Sequence, residues 1–169
     1  MNTNSLVDDI APAGYTHLIL RSMEAGDEDF VYRVYASTRM AEMDMVDWTD
    51  KQKEAFLQMQ FRAQSQHYQA VYPQAIYQVI EWNGIPVGRL TLDQTGQTTR
   101  LVDIALLPEF RNRGLGATLI SALQSQNRKI NLHVLKSNPA LNLYKRLGFV
   151  FKSEDALHFE MEWIPEVKA

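Results

Sequence analysis

The stretch Leu106-Leu107-Pro108-Glu109-Phe110-Arg111-Asn112-Arg113-Gly114-Leu115-Gly116 decides how this chain is read. An apolar run ends in a basic turn with two glycines, after which Leu115, Leu119 and Leu123 recur at helical spacing. A strand feeding such a turn and a helix makes a cradle for a pyrophosphate. Glycine lets the backbone approach an anion with its N–H groups turned inward, the helix adds the positive end of its dipole, and Arg111 and Arg113 add charge. Single positions exclude two other phosphate loops. A dinucleotide fingerprint needs a third glycine where Leu119 stands, and the Gly-Lys-Ser/Thr of a Walker loop occurs nowhere in the chain. Taken alone, the motif also reads as an ordinary basic surface turn before a helix.

Upstream of the turn, alternation over Arg100 to Leu107 predicts a strand with Leu101, Asp103, Ala105 and Leu107 on one face and Val102, Ile104 and Leu106 on the other. Ile76 to Trp82, Asn83-Gly84 and Ile85 to Asp93 read as a hairpin, because Asn-Gly supplies the positive φ angles of a two-residue turn. Further upstream, His17 to Met23 reads as a strand. Asp27 is placed to cap a helix burying Phe30, Val31, Val34 and Tyr35, and Thr49 with Gln52 forms a capping box ahead of Phe56, Leu57 and Phe61. That second helix should end near Pro73. Downstream, Gly114 to Asn127 predicts a helix, Ile130 to Leu135 a strand, Pro139 to Leu147 a helix, and Phe149 to Lys152 and Leu157 to Trp163 the closing strands. Residues 1–14 read as a loose arm and 15–165 as one domain.

Composition narrows the function classes. The chain has 169 residues, of which 46% are hydrophobic, enough for one sizeable core. Seventeen basic against 20 acidic residues leave a net charge of -3, which argues against a general nucleic-acid binder. Cysteine is absent, which excludes disulfides, thiolate metal sites and a cysteine nucleophile; no metal is expected. The first residues have no basic n-region and no apolar run is long enough to span a bilayer, so the expectation is a cytoplasmic protein without a membrane partner.

The ordered set Arg111-x-x-Gly114-x-Gly116, helix, strand, Asn138-Pro139-Ala140, Leu143-Tyr144 and Leu147-Gly148-Phe149 resembles the GNAT superfamily of acyl-coenzyme A dependent N-acetyltransferases. The match is tight from about Leu101 to Phe149. The resemblance implies an α/β (α+β) fold: a mixed, mostly antiparallel sheet of six to seven strands with about four helices, splayed where two central strands part for the pantetheine arm. It implies acetyl-CoA as cosubstrate and an amine as acceptor, and leaves a homodimer open. By the same carry-over, the backbone of Ile104, Ala105 and Leu106 would pair with the pantetheine amides. The pyrophosphate would lie on Arg111, Asn112, Arg113, Gly114, Leu115, Gly116 and Ala117. Asn138 reads first as a helix N-cap ahead of Pro139, with a pantetheine contact implied by the family.

Tyr144 is the residue the family places to protonate the departing thiolate. A phenol of pKa about 10 is protonated at neutral pH and close enough to a thiol of about 8.5 for transfer. Tyr144 also shares a helical face with Ala140, Leu143 and Leu147, as a core tyrosine would. A base must deprotonate an alkylammonium acceptor of pKa about 10.4. Many relatives carry a glutamate at the start of the strand before the glycine turn, where this chain has Arg100. Asp103, three residues further on, is the candidate, with Glu81 and Glu160 in neighbouring strands, although a strand acid is more often a paired or exposed structural group; His133 is a weaker choice. For the acceptor, residues 40–50 hold Glu42, Asp44, Asp47 and Asp50 with no basic residue, and Trp48 among them. Glu42, Asp44 and Asp47 would draw a cationic amine and Trp48 would offer a cation–π face; a solvated acidic loop is the competing reading. Two functions follow: an N-acetyltransferase of small-molecule or peptide amines, or a non-catalytic acyl-CoA sensing module that has lost its base.

Overall fold

Period-two alternation of apolar residues builds the sheet, and two helical layers cover it. The computed structural model describes residues 17–167, so the arm expected over residues 1–14 lies outside the described residues. The strands are β1 (Leu18–Ser22), β2 (Ile76–Trp82), β3 (Ile85–Asp93), β4 (Thr98–Leu106), β5 (Lys129–Leu135), β6 (Val150–Glu154) and β7 (His158–Trp163). The helices are α1 (Glu28–Met43), α2 (Asp50–Val71), α3 (Leu115–Ser125) and α4 (Ala140–Arg146), with short 3-10 turns at Ala25–Asp27 and Pro108–Phe110. The seven strands run in the order β1-β2-β3-β4-β5-β7-β6. Only β4 and β5 are parallel, joined by the α3 crossover that a parallel pair requires.

The main core lies between the sheet and the α3/α4 layer. It includes Ile80, Leu90, Leu101, Leu115, Ile120, Ile130, Leu132 and Met161, each at most 3% exposed. Each such side chain contributes roughly 1.5–3 kcal/mol by leaving water. On the opposite face Phe30, Val31 and Val34 of α1 pack on Val79, joined by Ala105 and Leu107. Tyr35, Met43 and Leu57 fasten α1 to α2. Thr49 caps α2 in a full capping box with Gln52.

Two expectations change. Asp27 does not cap α1 with its side chain; its carboxylate takes both terminal nitrogens of Arg21, at 2.7 and 2.8 Å, and the Glu24 N–H at 2.8 Å. The bidentate guanidinium outcompetes the helix amides and holds the Asp27 carboxyl down at about 2, with the Glu24 backbone N–H helping. The even alternation expected in β4 also fails. Thr91 pairs with Asp103 and Leu92 with Leu101, so Val102 is an extra residue, a β-bulge. Leu101 therefore faces the α3/α4 core together with Ile104 and Leu106, while Ala105 and Leu107 face α1. Simple period-two alternation puts Leu101 with Asp103, Ala105 and Leu107, and the bulge is what separates it from them.

Candidate active site

The central feature is where β4 and β5 part. Their pairing lasts from Thr98↔Lys129 to Leu101↔Leu132 and then stops, although β4 continues to Leu106 and β5 to Leu135. Backbone planarity tells which groups line the gap. Leu107 N–H donates to Val87 O across to β3 at 2.9 Å, so the Leu106 carbonyl of the same trans peptide points the other way, into the gap. Strand alternation carries the rule to Ile104. Ala105 O faces β3 instead, lying 2.3 Å from where a Cβ on Gly88 would stand. Of the three positions expected to meet a pantetheine arm, Ile104 and Leu106 present backbone groups to the gap and Ala105 does not.

The gap opens onto the glycine turn. Asn112 (φ 58°) and Gly114 (φ 82°) both take the left-handed conformation, which curls the backbone ahead of α3 into a concave loop. The first amides of α3, at Leu115, Gly116 and Ala117, have no partner within the helix, and no acidic residue stands in its first turn. Arg111 Nε donates to Leu106 O at 2.9 Å and one of its terminal nitrogens to Ser37 Oγ at 3.1 Å. The Arg113 guanidinium lies 5.7 Å from the Phe110 ring centre and 5.9 Å from that of Trp82. A Cβ at Gly116 would stand in ordinary contact, 3.4 Å, with a Leu143 methyl of α4, which brings α4 close to the start of α3. A concave N–H surface at a helix N-terminus, flanked by arginines and continuous with a strand edge, fits the pyrophosphate and amides of coenzyme A.

Opposite the cradle stands α4. Asn138 Oδ1 accepts from Ala140 N–H at 2.9 Å, and Pro139 already has helical angles, so Asn138 is the N-cap. The helix closes with Gly148 N–H on Lys145 O and Phe149 N–H on Tyr144 O. Tyr144 is 5% exposed, with its ring 5.7 Å from that of Phe149. Its hydroxyl makes no hydrogen bond among the described residues. Burial raises its pKa above the ordinary phenol value, and the charge of Asp103 adds to the rise.

Asp103 lines a cavity of about 330 Å³ walled by Val31 and Glu28 of α1, by Phe61, Gln64 and Tyr68 of α2, and by Tyr77, Thr91 and Arg89 of the sheet. Arg89 Nε lies 2.6 Å from Asp103 Oδ2, but the contact is an ion pair without hydrogen-bond alignment. Arg89 is 8% exposed, donates to Gln64 at 3.0 Å and lies over the Tyr35 ring. Sequence reasoning passed over Arg89 and this cavity. A guanidinium set among the apolar residues of Val87-Gly88-Arg89-Leu90 was the available signal. The other acids are engaged elsewhere. Glu81 pairs with Arg21 at 2.5 Å. Glu160 accepts from Ser153 and stands 3.9 Å from both Arg100 and His133, and the Ser153 bond foremost lowers its pKa. His133 is lowered as well, by burial first and then by Arg100.

Glu42, Asp44, Asp47 and Trp48 are not brought to this cavity. They lie at the α1–α2 connection, where Glu42 pairs with Arg39 at 2.7 Å and Trp48 meets Phe56 edge-on. Among the described residues no group of three or more His, Asp or Glu is placed to hold a metal, and no helix is long and apolar enough to cross a membrane.

A strand splayed from its parallel neighbour and a concave glycine turn at the head of the helix that follows make a site for an extended, anion-bearing ligand. In comparison with known proteins, the family model described as acetyltransferase (GNAT) domain matches residues 73–151. A Bacillus subtilis protein named as a putative ribosomal protein bS18-alanine N-acetyltransferase is 30% identical over 139 residues, covering 79% of this chain and 81% of that protein. The chain belongs to the GNAT family of acetyltransferases. Solved structures share its fold. The PaiA N-acetyltransferase of Thermoplasma acidophilum, in complex with coenzyme A, superposes with a TM-score of 0.64 at 16% identity, over 87% of this chain and 98% of that one. An acetyltransferase of Thermus thermophilus gives 0.62 at 18% identity, over 88% and 97%.

Proposed function

We propose that this chain transfers an acetyl group from acetyl-CoA to the primary amine of a small molecule or peptide, with the amine attacking directly. Acetyl-CoA brings an activated thioester carbonyl and a thiolate leaving group that needs a proton. The chain's own residues do the rest. Backbone groups of Ile104 and Leu106 align the pantetheine arm as a neighbouring strand would, and the N–H groups from Arg113 to Ala117 hold the pyrophosphate, with Arg111 and Asn112 beside them. Asn138 adds an amide contact to the arm. The acceptor enters through the cavity, and Glu42, Asp44, Asp47 and Trp48 draw a cationic amine towards that side of the domain. Asp103 takes the ammonium proton, directly or through water, using lone pairs that Arg89 leaves available. Tyr144 donates its proton to the departing sulfur.

The observation that carries this reading is the gap itself. It exposes the backbone of Ile104 and Leu106 and leads to the glycine turn, and the strand that borders it carries Asp103 into the cavity. One observation favours a second reading, a non-catalytic acyl-CoA sensor: Arg100 occupies the family's base position, and Asp103 is paired with Arg89. Thioester turnover across a panel of small amines and N-terminal peptides, with products weighed by mass spectrometry, separates the two. Acetylated product supports the transferase; coenzyme A binding with no product from any amine supports the sensor.

A further inference from the structure

Arg111 belongs to the cradle turn, yet one of its terminal nitrogens reaches Ser37 in the middle of α1, 74 residues away in sequence. Three contacts fix the arrangement. Ser37 Oγ donates to Val34 O at 2.7 Å, which commits the hydroxyl proton and leaves the lone pairs for the guanidinium. Arg111 donates one terminal N–H to those lone pairs at 3.1 Å and its Nε–H to Leu106 O at 2.9 Å. That carbonyl lines the gap, so the guanidinium plane is pinned between the gap and the glycine turn. A guanidinium carries five N–H donors in one rigid plane, and two anchored donors leave the others to meet an anion in a set direction. Arg111 is otherwise an exposed surface side chain, which in water would spread over many rotamers.

We propose that Ser37 is a positioning residue for the coenzyme A cradle, holding Arg111 so that its remaining donors meet the pyrophosphate already aligned. This rests on the reading that the turn binds coenzyme A. The same helix supplies Glu28 and Val31 to the cavity beside Asp103, so α1 touches the acceptor side and, through Ser37, the cofactor side. Ordering a long side chain before the ligand arrives removes that cost from binding.

The test is calorimetry of coenzyme A on the whole chain. Ser37→Ala keeps the helix, because alanine is the better helix former, and should raise the Kd roughly three- to tenfold. Ser37→Thr, which restores a hydroxyl, should bring the Kd back to within about twofold of the unaltered chain. In an Arg111→Gln background the same Ser37→Ala change should have no further effect, because nothing remains to be positioned. An unmoved Kd in Ser37→Ala, or an equal loss in the Arg111→Gln background, overturns the inference. If the unaltered chain binds no coenzyme A, the cradle reading fails and takes this inference with it.

Discussion

Replacing Tyr144 by phenylalanine isolates its hydroxyl from its packing. The ring is 5% exposed and packs against Phe149, and phenylalanine retains all of that burial. The hydroxyl has no hydrogen-bond partner among the described residues, so its loss strands no donor or acceptor. The stability change should stay within about 0.5 kcal/mol, whereas truncation to alanine would cost roughly 3–5 kcal/mol. Catalysis should respond on another scale. Loss of a general acid slows reaction about 10²- to 10⁴-fold, which is roughly 2.7–5.4 kcal/mol of barrier at 1.36 per decade. Because burial and then Asp103 raise the Tyr144 pKa, the phenol keeps its proton past its ordinary value, and the unaltered chain should show no alkaline loss from this group below about pH 10. The assay is a single-turnover rate with both substrates saturating, which removes product release from the comparison, beside a denaturant titration. A near-native rate in a stable Tyr144→Phe chain would refute the proton-donor role and leave Tyr144 as a core residue.

Asp103→Asn leaves the Arg89 guanidinium buried without its counter-charge and should destabilise the fold by about 3 kcal/mol in urea unfolding. Adding Arg89→Gln should recover most of that stability but not the rate; recovery of the rate as well would show that Asp103 is not the base. Neutralising Glu42, Asp44 and Asp47 together should raise the acceptor KM, leave the acetyl-CoA KM unchanged and flatten the salt dependence. An unmoved acceptor KM would identify the stretch as a solvated loop. The pH dependence of stability should carry the mark of Asp27. Its carboxyl is held at about 2, below its unfolded value, so its contribution is complete above about pH 4 and disappears as the pH falls towards 2. The Tm difference between the unaltered chain and Asp27→Asn should shrink over that interval, and a constant difference would contradict the Arg21 pairing.

The elements of the second half of the chain were legible because their signals are local. Asn83-Gly84 specifies a hairpin by its φ angles, and Gly114 with the leucines after it specifies a turn and a helix whatever they pack against. The capping box of Thr49 and Gln52 is legible for the same reason. What escaped depends on partners far away in sequence. Arg21 reaches Glu81, Arg89 reaches Gln64, and Arg111 reaches Ser37, across 60, 25 and 74 residues. No spacing rule connects such positions. The bulge at Val102 escaped because it is decided by β3, whose register tolerates one extra residue opposite Thr91 and Leu92.

That extra residue bears on the proposed base, since the resemblance puts a glutamate where this chain has Arg100. On a regular strand, positions three apart face opposite sides of a sheet, so an acid at 103 could not stand in for one at 100. In this chain Arg100 lies towards Glu160, away from the Leu101 core, and Asp103 opens into the cavity on that same side. Val102 resets the phase of the strand by one residue and makes the two positions equivalent in orientation. On the proposed mechanism the bulge lets an acid sit one rung further along β4 and still face the cavity, while position 100 approaches Glu160. Deleting Val102 would straighten β4 without turning either residue over: Leu101 would still stand opposite Leu92 and Asp103 opposite Thr91, with Arg100 and Asp103 then two apart and on one face by simple alternation.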